Sequence, residues 1–244
     1  MVSNDTRTEI EEMIRSDDLA GLLRMTALVH GHHCVGSAMG VMAGHLAMKT
    51  LGVVESTGME HLIAIVETNS CFSDGVQMVT GCSFGNNSLV YRDYGKTAFS
   101  LVERSGRGVR VSARPDLGDL LKDRNPETQE LYRRIVNERD ATPEEEARMM
   151  ELNKRHCFQV LETPVEKVFK LERAEAELPS YSRLLDSRIC AGCGEKVMET
   201  RAVKRAEGYY CLPCSGEGYG QLDWAGIHCR ESGTAHDKVK DGSC

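Results

Sequence analysis

The pattern that most narrows the possible folds is a pair of C-x-x-C motifs near the C-terminus. Seventeen residues, 194–210, separate the two pairs, a spacing within the range typical of four-cysteine zinc sites. In such sites a tight turn brings each pair of thiolates together, and four sulfurs complete a tetrahedron around the ion. The sequence therefore predicts a zinc ribbon over residues 186–216, with these ligands: Cys190, Cys193, Cys211 and Cys214.

The ribbon admits two interpretations. Four thiolates fill the coordination sphere of zinc, which leaves no position open for catalysis and favours a structural role. Lysines and arginines within the ribbon also raise the alternative of nucleic-acid or protein binding. Glutamates are interleaved with these cations, however, and the chain carries a net charge of −7, whereas nucleic-acid binding depends on the neutralisation of phosphates. We therefore favour the structural role and do not expect a nucleic-acid partner.

The cysteines indicate a reducing compartment. The first 18 residues are polar and acidic and lack the apolar segment of a secretory signal, and no apolar stretch is long enough to cross a membrane. Ten cysteines in such a chain are typical of reduced thiols and metal ligands rather than of a disulfide framework. We expect a cytoplasmic protein that does not associate with membranes.

A second concentration of metal-ligand residue types is HGHHC, residues 30–34. His30, His32 and Cys34 are alternate residues, so in an extended segment their side chains would point the same way. Cys34 precedes an apolar helical segment, and Cys71 also precedes a helix. The macrodipole at a helix N-terminus lowers the pKa of a thiol and favours the thiolate, the form that binds metal. The motif therefore predicts a functional site.

The pattern along the chain predicts an α+β fold in which helices pack on a mainly antiparallel sheet. Apolar spacing predicts helices over 6–27 and 37–51. Gly36, just before the second helix, and Gly40 and Gly44 within it recur every fourth residue and line a face expected to pack against a sheet or a partner subunit. We expect strands at 61–67, 88–93, 96–104 and 108–113, the middle two joined across Tyr94 and Gly95, with a short helix before Gly81.

Composition divides the chain into four predicted regions. An α+β core domain with the histidine and cysteine cluster occupies residues 1–115, and charged helical patterns predict a helical hairpin and connecting segment over 116–185. In this hairpin Thr142 and Glu145 form a capping-box pattern. The zinc ribbon over 186–216 follows, and residues 217–244 are predicted to be a weakly ordered tail.

Several motifs in the same order resemble the E subunit of molybdenum or tungsten formylmethanofuran dehydrogenase and its stand-alone homologues. They are H-G-H-x-C-x-G (30–36), ETNSCFSDGVQ (67–77), TGCSFGNNSL (80–89), DYGK (93–96), and the C-terminal CAGCGE and CLPC. The resemblance implies an α+β core that pairs into dimers, a metal-associated cysteine and histidine cluster, and in many members a C-terminal zinc ribbon. Val35 stands where the family usually has proline, and His33, where an apolar residue is common, is a possible extra ligand.

Spacing and resemblance together define a hypothetical core site. Imidazole and thiolate ligands suit zinc or another divalent metal, and fewer than four protein ligands leave room for water or substrate. Asp74 or Lys96 would transfer protons beside Cys34, and Gln77 or Asn86 would orient a bound group; Cys82 is a further residue expected to approach. The predicted metal ligands of this site are His30, His32, Cys34 and Cys71.

Three functions remain open on the sequence. The first is a homodimeric metalloprotein of C1 or redox metabolism, either an accessory subunit of a molybdenum or tungsten enzyme or a stand-alone enzyme with an unknown small-molecule substrate. The second is a non-catalytic module that holds and passes on metal or sulfur to such an enzyme. The third is a regulator that binds nucleic acid or protein through the ribbon, and the net negative charge of the chain makes it the weakest of the three.

Overall fold

The computed structural model describes residues 7–56 and 58–231, with the backbone alone at 119 and at 239–240. Two compact units divide the chain between Pro179 and Ser180. Both contain helices and strands, and the sheets are mainly antiparallel, so the predicted α+β class is confirmed. Among the described residues, no helix has both the length and the apolar character required to cross a membrane.

The first unit contains a five-stranded sheet with strand order β2-β1-β3-β4-β5 and helices packed on it. Its strands are β1 (Leu62–Val66), β2 (Leu89–Tyr91), β3 (Ala98–Glu103), β4 (Gly108–Ala113) and β5 (Phe169–Ala174). Its helices are α1 (Thr8–Arg15), α2 (Leu19–His30), α3 (Val35–Leu51), α4 (Cys71–Thr80), α5 (Leu117–Leu120), α6 (Pro126–Tyr132), α7 (Pro143–Val160) and α8 (Val165–Val168).

The predicted first helix is in fact two helices. Asp17 has a φ of 58°, in the left-handed region, so the helical path is interrupted between α1 and α2. Asp18 then caps α2, because its carboxylate accepts a hydrogen bond of 2.7 Å from the backbone N–H of Gly21. Two adjacent aspartates thus provide both the break and the new start.

The strands on either side of Tyr94 and Gly95 are not neighbours in the sheet. β1 lies between them, antiparallel to β3 and parallel to β2. The chain passes from β1 through α4 to β2, and a helical crossover of this kind returns the chain in the parallel direction. β2 is therefore an edge strand.

The glycine face of α3 packs against α4, and not against the sheet or a partner subunit as the sequence led us to expect. A Cβ atom at Gly40 would lie 2.0 Å from the carbonyl oxygen of Phe72, so only glycine permits this approach. The contact is reciprocal, since a Cβ at Gly75 of α4 would lie 2.5 Å from the carbonyl oxygen of Ser37. The start of α4 is therefore held close to the start of α3.

The charged segment forms the expected pair of helices. α6 continues into a π-helical stretch, Arg133–Glu138, and α7 begins with the predicted capping box, in which Thr142 and Glu145 exchange hydrogen bonds. The C-terminal half of α7 joins the main core through Cys157 and Val160. β5 follows and extends the sheet antiparallel to β4.

The second unit consists of short strands. β6 (Ser187–Ile189) pairs with β7 (Lys196–Met198), and β8 (Ala202–Arg205) pairs with β9 (Gly208–Cys211), which leads into α9 (Leu212–Ser215). A 3-10 turn, Glu199–Arg201, connects β7 to β8. Each C-x-x-C motif thus lies at the end of a strand, as the ribbon prediction requires.

The described part of the segment after the ribbon is more regular than the predicted weakly ordered tail. β10 (Tyr219–Asp223) and β11 (Gly226–Arg230) form an antiparallel hairpin, and β11 also pairs with β12 (Val239–Lys240). The turn is stabilised by the side chain of Asp223, which accepts a hydrogen bond of 2.9 Å from the N–H of Ala225. The remainder of the predicted tail, 232–238 and 241–244, lies outside the described residues.

Candidate metal centres

Among the residues that the structure describes, two groups of side chains could hold a metal ion, and within each group the possible ligand atoms all lie within 4.8 Å of one another. We call the first the ribbon cluster; it consists of Cys190, Cys193, Cys211 and Cys214. We call the second the core cluster; it consists of His30, His32 and Cys34.

The ribbon cluster has the dimensions of a zinc tetrahedron. Zinc–sulfur bonds of about 2.3 Å in tetrahedral geometry place neighbouring sulfurs about 3.8 Å apart. The Sγ of Cys211 lies 3.7 Å from that of Cys190 and 3.9 Å from that of Cys193. Backbone N–H groups, chiefly that of Cys211, lower the pKa of Cys190 to about 6, which favours the thiolate. These residues fit a structural zinc ion.

The core cluster is formed by a reversal of the chain between two helices. His30 is the last residue of α2, Gly31 ends that helix with a φ of 89°, and Cys34 is the N-cap of α3. The segment is therefore not extended, and the alternate spacing is not what brings the ligands together. Glycine at position 31 permits the left-handed turn that returns Cys34 towards His30.

The distances in the core cluster also match zinc. The Nε2 atom of His30 lies 3.5 Å from the Sγ of Cys34, and tetrahedral zinc with typical nitrogen and sulfur bonds places these atoms about 3.6 Å apart. The rings of His30 and His32 lie 4.4 Å apart between centroids. His32 is exposed, whereas His30 and Cys34 are half-buried, so one side of the cluster faces solvent.

Cys34 is in an environment that favours its thiolate. The backbone N–H of Ser37 donates a hydrogen bond of 3.3 Å to the Cys34 sulfur, which replaces the usual oxygen of an N-cap side chain. A hydrogen bond from the Cys71 thiol is the largest influence, and together these donors lower the pKa of Cys34 to about 5 despite its burial. The same hydrogen bond raises the pKa of Cys71, so the pair shares one proton.

α4 supplies the residues that surround the core cluster. The Cys71 sulfur lies only 2.8 Å from the position a Cβ would take at Gly36. The Asp74 carboxylate accepts a hydrogen bond of 2.7 Å from Nδ1 of His30, and Gln77 donates to the other oxygen of Asp74 at 3.4 Å. Of the residues predicted to complete this site, the structure brings Cys71, Asp74 and Gln77 to it.

The structure places Asn86 and Cys82 elsewhere. Asn86 donates to the carbonyl of Gly81 at 2.8 Å and accepts from the N–H of Ser83 at 3.0 Å, so its amide organises the loop after α4. Ten residues of helix separate this loop from Cys71, or about 15 Å along the axis. Cys82 is buried in the same region, 3.5 Å from the carbonyl of Leu62. We therefore do not retain Asn86 or Cys82 in the core site.

Lys96 is exposed, and its ammonium group lies 5.8 Å from the centroid of the Tyr94 ring. Among the described contacts of Lys96, none is with the core cluster. His33 likewise turns away from the cluster, and its ring packs against Phe158 of α7 at 5.6 Å. The Nε2 atom of His33 is buried and has no hydrogen-bond partner among the described residues, and burial lowers its pKa.

His45 and Cys157 have structural surroundings outside the two clusters. His45 lies 3.3 Å from the carbonyl of Ile14 and 3.0 Å from the carboxylate of Asp17. Cys157 is completely buried, and burial raises its pKa to about 12. Ser37 is the contributor that sequence reasoning missed; a cysteine three residues before a serine at a helix start is a capping-box spacing that would have indicated it.

Fold and clusters together define an α+β protein whose described residues include two clusters that could hold a metal ion. The description of the family whose model matches residues 29–170, more than half of the chain, is "FmdE, Molybdenum formylmethanofuran dehydrogenase operon". The chain belongs to this family, which confirms the resemblance seen in the sequence motifs. The matched segment includes the core cluster and all of α4.

Two individual proteins extend the comparison. The chain is 37% identical over 214 residues to a protein of Archaeoglobus fulgidus named "Probable S-adenosyl-L-methionine-binding protein", and the match covers 86% of this chain. It covers 56% of that relative, so the chain spans about half the length of the curated protein it matches. A protein from Syntrophus aciditrophicus of known crystal structure, described as similar to the FmdE component of a tungsten formylmethanofuran dehydrogenase, is 22% identical, with a TM-score of 0.53. The match covers 81% of this chain and 92% of that protein, and shows that the fold is shared.

Proposed function

We propose that this protein is a metalloprotein of C1 or redox metabolism in which the core cluster binds a divalent ion, with zinc as the best match. In this proposal it acts as an accessory subunit or as a stand-alone enzyme. The observation that carries the proposal is the 3.5 Å separation of His30 Nε2 and Cys34 Sγ, the edge expected of a zinc tetrahedron. Membership of a family associated with a formylmethanofuran dehydrogenase operon supports the metabolic context.

The ligand set supports a site with an accessible position. His30, His32 and Cys34 provide three ligands, the number typical of catalytic zinc sites, in which water or substrate completes the tetrahedron. Cys71 is the fourth protein ligand if it exchanges its hydrogen bond with Cys34 for a bond to the ion. With three protein ligands the site is open to water or substrate, and with Cys71 as the fourth it is closed. In both arrangements His32 is on the side that faces solvent.

Metal content tests the proposal directly. We expect purified protein to contain about two zinc ions per chain by plasma mass spectrometry, with Cys34→Ala and Cys190→Ala each losing one. Cys82→Ala is the matched control, because it removes a buried thiol that lies beyond the C-terminal end of α4, 3.5 Å from the carbonyl of Leu62, and it should leave the metal content unchanged. If the wild-type protein contains one ion per chain and Cys34→Ala contains the same amount, the proposed metal site in the core cluster is contradicted.

The rate of metal exchange in the purified protein distinguishes an enzyme from a carrier that passes metal to another protein. An enzyme should keep its core ion when a chelator of moderate affinity is added, whereas a carrier should exchange it within minutes. Isotopically labelled zinc followed by mass spectrometry measures the exchange, with the ribbon ion as the slow internal reference. If the protein is an enzyme, we propose that Cys34 binds the ion as a thiolate at the reaction site, and Lys96 remains a predicted proton-transfer group.

A second candidate function is the binding of S-adenosyl-L-methionine, which the name of the Archaeoglobus fulgidus relative favours. The first unit has a cavity of about 1110 Å³ lined in part by Leu62, Ser88 and Glu103, slightly above the usual size of small-molecule sites, about 300–1,000 Å³. Apolar side chains that include Val53, Val54 and Leu62 share its wall with charged groups, and both kinds of surface are needed for a nucleoside that carries an amino acid.

Calorimetric titration with S-adenosyl-L-methionine tests this candidate. Met59 lines the cavity and is 68% exposed, so Met59→Trp should obstruct part of the cavity and weaken binding without loss of fold. Met150→Trp, at an exposed position of α7, is the control that should bind like wild type. Absence of heat with the wild-type protein would refute this candidate, and it would leave the proposal for the core cluster unaffected.

Partner subunits are the remaining part of the proposal. We propose a homodimer that also associates with subunits of a molybdenum or tungsten enzyme. Leu28 and Val29, in the last turn of α2, are 77% and 74% exposed and lie directly before the core cluster. Light scattering after size exclusion should give twice the mass of the chain, and Val29→Glu should lower it. An unchanged mass in the variant would exclude this surface from the dimer interface.

A further inference from the structure

We propose that Asp74 is a positioning residue, which fixes the His30 ring with Nδ1 protonated so that Nε2 faces Cys34 and the core ion. This inference rests on the proposed metal site and replaces the role in proton transfer that the sequence suggested for Asp74. It is carried by the hydrogen-bond geometry between α2, α3 and α4.

The first step is the direction of the hydrogen bond. An ionised carboxylate can only accept, so the 2.7 Å contact between Asp74 Oδ2 and Nδ1 of His30 places the ring proton on Nδ1. In the neutral ring, the form that binds metal, Nε2 is then the unprotonated nitrogen. It lies 3.5 Å from the Cys34 sulfur, on the side of the ring where a shared ion would bind.

The second step is that Asp74 is itself held in place. Gln77 donates to Oδ1 at 3.4 Å while His30 occupies Oδ2, so each carboxylate oxygen already has a protein partner. A general acid or base must lie within hydrogen-bond reach of the proton that it transfers, and the protons these two oxygens reach belong to protein side chains. With both oxygens engaged by the protein, Asp74 is better placed to orient a ring than to exchange protons with a ligand.

The third step is the arrangement of α4. Cys71, Asp74 and Gln77 follow one another at intervals of three residues, so they share one face of the helix. Cys71 interacts with Cys34, and Asp74 with His30. One face of α4 therefore contacts both of the residues whose ligand atoms have the spacing of a zinc site. The close packing of Gly40 against the backbone of α4 fixes the distance between this face and α3.

Histidines that bind metal commonly donate their other N–H to a carboxylate, which sets the tautomer and raises the basicity of the ligand nitrogen. Loss of such a partner typically lowers metal affinity about 10- to 100-fold. We expect a loss of this size for Asp74→Leu, and a smaller loss for Asp74→Asn because the amide oxygen still accepts from Nδ1.

The experiment has two readouts. In metal-free protein labelled with 15N-histidine, NMR reports the tautomer of His30, and the signal is assigned by comparison with His30→Gln. Competition with a chelator then gives the zinc affinity of the core site. We expect His30 to be the Nδ1–H tautomer in wild type, to lose that preference in Asp74→Leu and to recover it partly in Asp74→Asn.

Asp17→Asn is the matched control, because Asp17 lies 3.0 Å from His45 and forms a histidine–aspartate pair outside the core cluster. It should change neither the His30 signal nor the core affinity. An Nδ1–H tautomer that persists in Asp74→Leu, or a zinc affinity equal to that of wild type, would overturn the positioning role. A wild-type protein with the expected tautomer but no core zinc would instead contradict the proposed metal site alone.

Discussion

The ribbon cluster and the core cluster use similar ligands but are built in opposite ways. The ribbon cluster takes four thiols from two short motifs in the second unit, and each pair is set by its own turn. The core cluster takes its ligands from five consecutive residues, but the groups that orient them come from α4, about 40 positions later in the chain. The first site is organised locally, and the second depends on the packing of the fold.

This difference predicts that loss of its ion affects the two regions unequally, and the largest effect should be in the ribbon. Binding of structural zinc contributes apparent free energies of about 10–16 kcal/mol in small ribbons and fingers. Cys190→Ala should therefore make residues 186–216 sensitive to protease while the first unit remains resistant. Limited proteolysis with mass spectrometry is the measurement, and a ribbon that stays resistant without zinc would remove the distinction.

The converse prediction concerns the packing beneath the core cluster. Gly40→Val should destabilise the first unit by about 3 kcal/mol, because the new side chain collides with the backbone of α4 at Phe72. Urea denaturation measures the loss, which should be accompanied by weaker core zinc and unchanged ribbon zinc. Gly118→Val is the control, since nothing lies within 4 Å of a Cβ at that position. Equal stability of both variants would show that α3 and α4 can separate without cost.

A third prediction compares three of the thiols of the first unit in metal-free protein. Cys34 has a pKa of about 5, whereas that of Cys71 is raised by the shared proton and that of Cys157 is raised by burial to about 12. Alkylation of Cys34 by iodoacetamide should rise through pH 5 and reach a plateau near neutrality, while the other two remain slow. Peptide mass spectrometry separates the three rates. A Cys34 rate that still rises between pH 8 and 9 would contradict the assignment of the thiolate.

The smallest expected effect is the pH dependence that His45 gives to the first unit. Burial lowers the pKa of His45 in the folded state below the usual histidine value of 6.5, although Asp17 opposes this shift. The unfolded chain then takes up the proton more readily, so stability should fall as the pH drops below about 6.5. His45→Gln should flatten the change in urea midpoint between pH 7 and pH 5. An equally steep change in the variant would assign the acid sensitivity to other groups.

Sequence patterns were sufficient where structure is determined locally. The spacing of the C-x-x-C motifs predicted the ribbon cluster, and the capping box at Thr142 predicted the start of α7. The pattern also predicted most helices and strands of the first unit, because apolar periodicity reflects burial on one face. The match to the family model supports the assignment of the histidine and cysteine motif to a known family.

Features set by distant contacts were not predictable in the same way. The separation of β2 from β3 by β1 depends on which strands pair, and no periodicity encodes this. Asp74 was selected as a candidate, but its partner His30 is 44 positions away, so its orienting geometry emerged only from the structure. Asn86 was selected from its motif, and its contacts show that it organises a loop at the other end of α4.

The backbone contact between α3 and α4 limits the radius of the ion that the proposed core site can hold. Side chains can adjust to a larger ion by changing rotamer, but Gly40 and Gly75 meet the facing backbone directly and leave little to adjust. Cys34 and His30 are thereby held at a spacing that suits short bonds. In the proposed metal site, an ion with a larger radius would have to find its extra room at His32, the exposed histidine, so selectivity by ion size would rest on a single side chain.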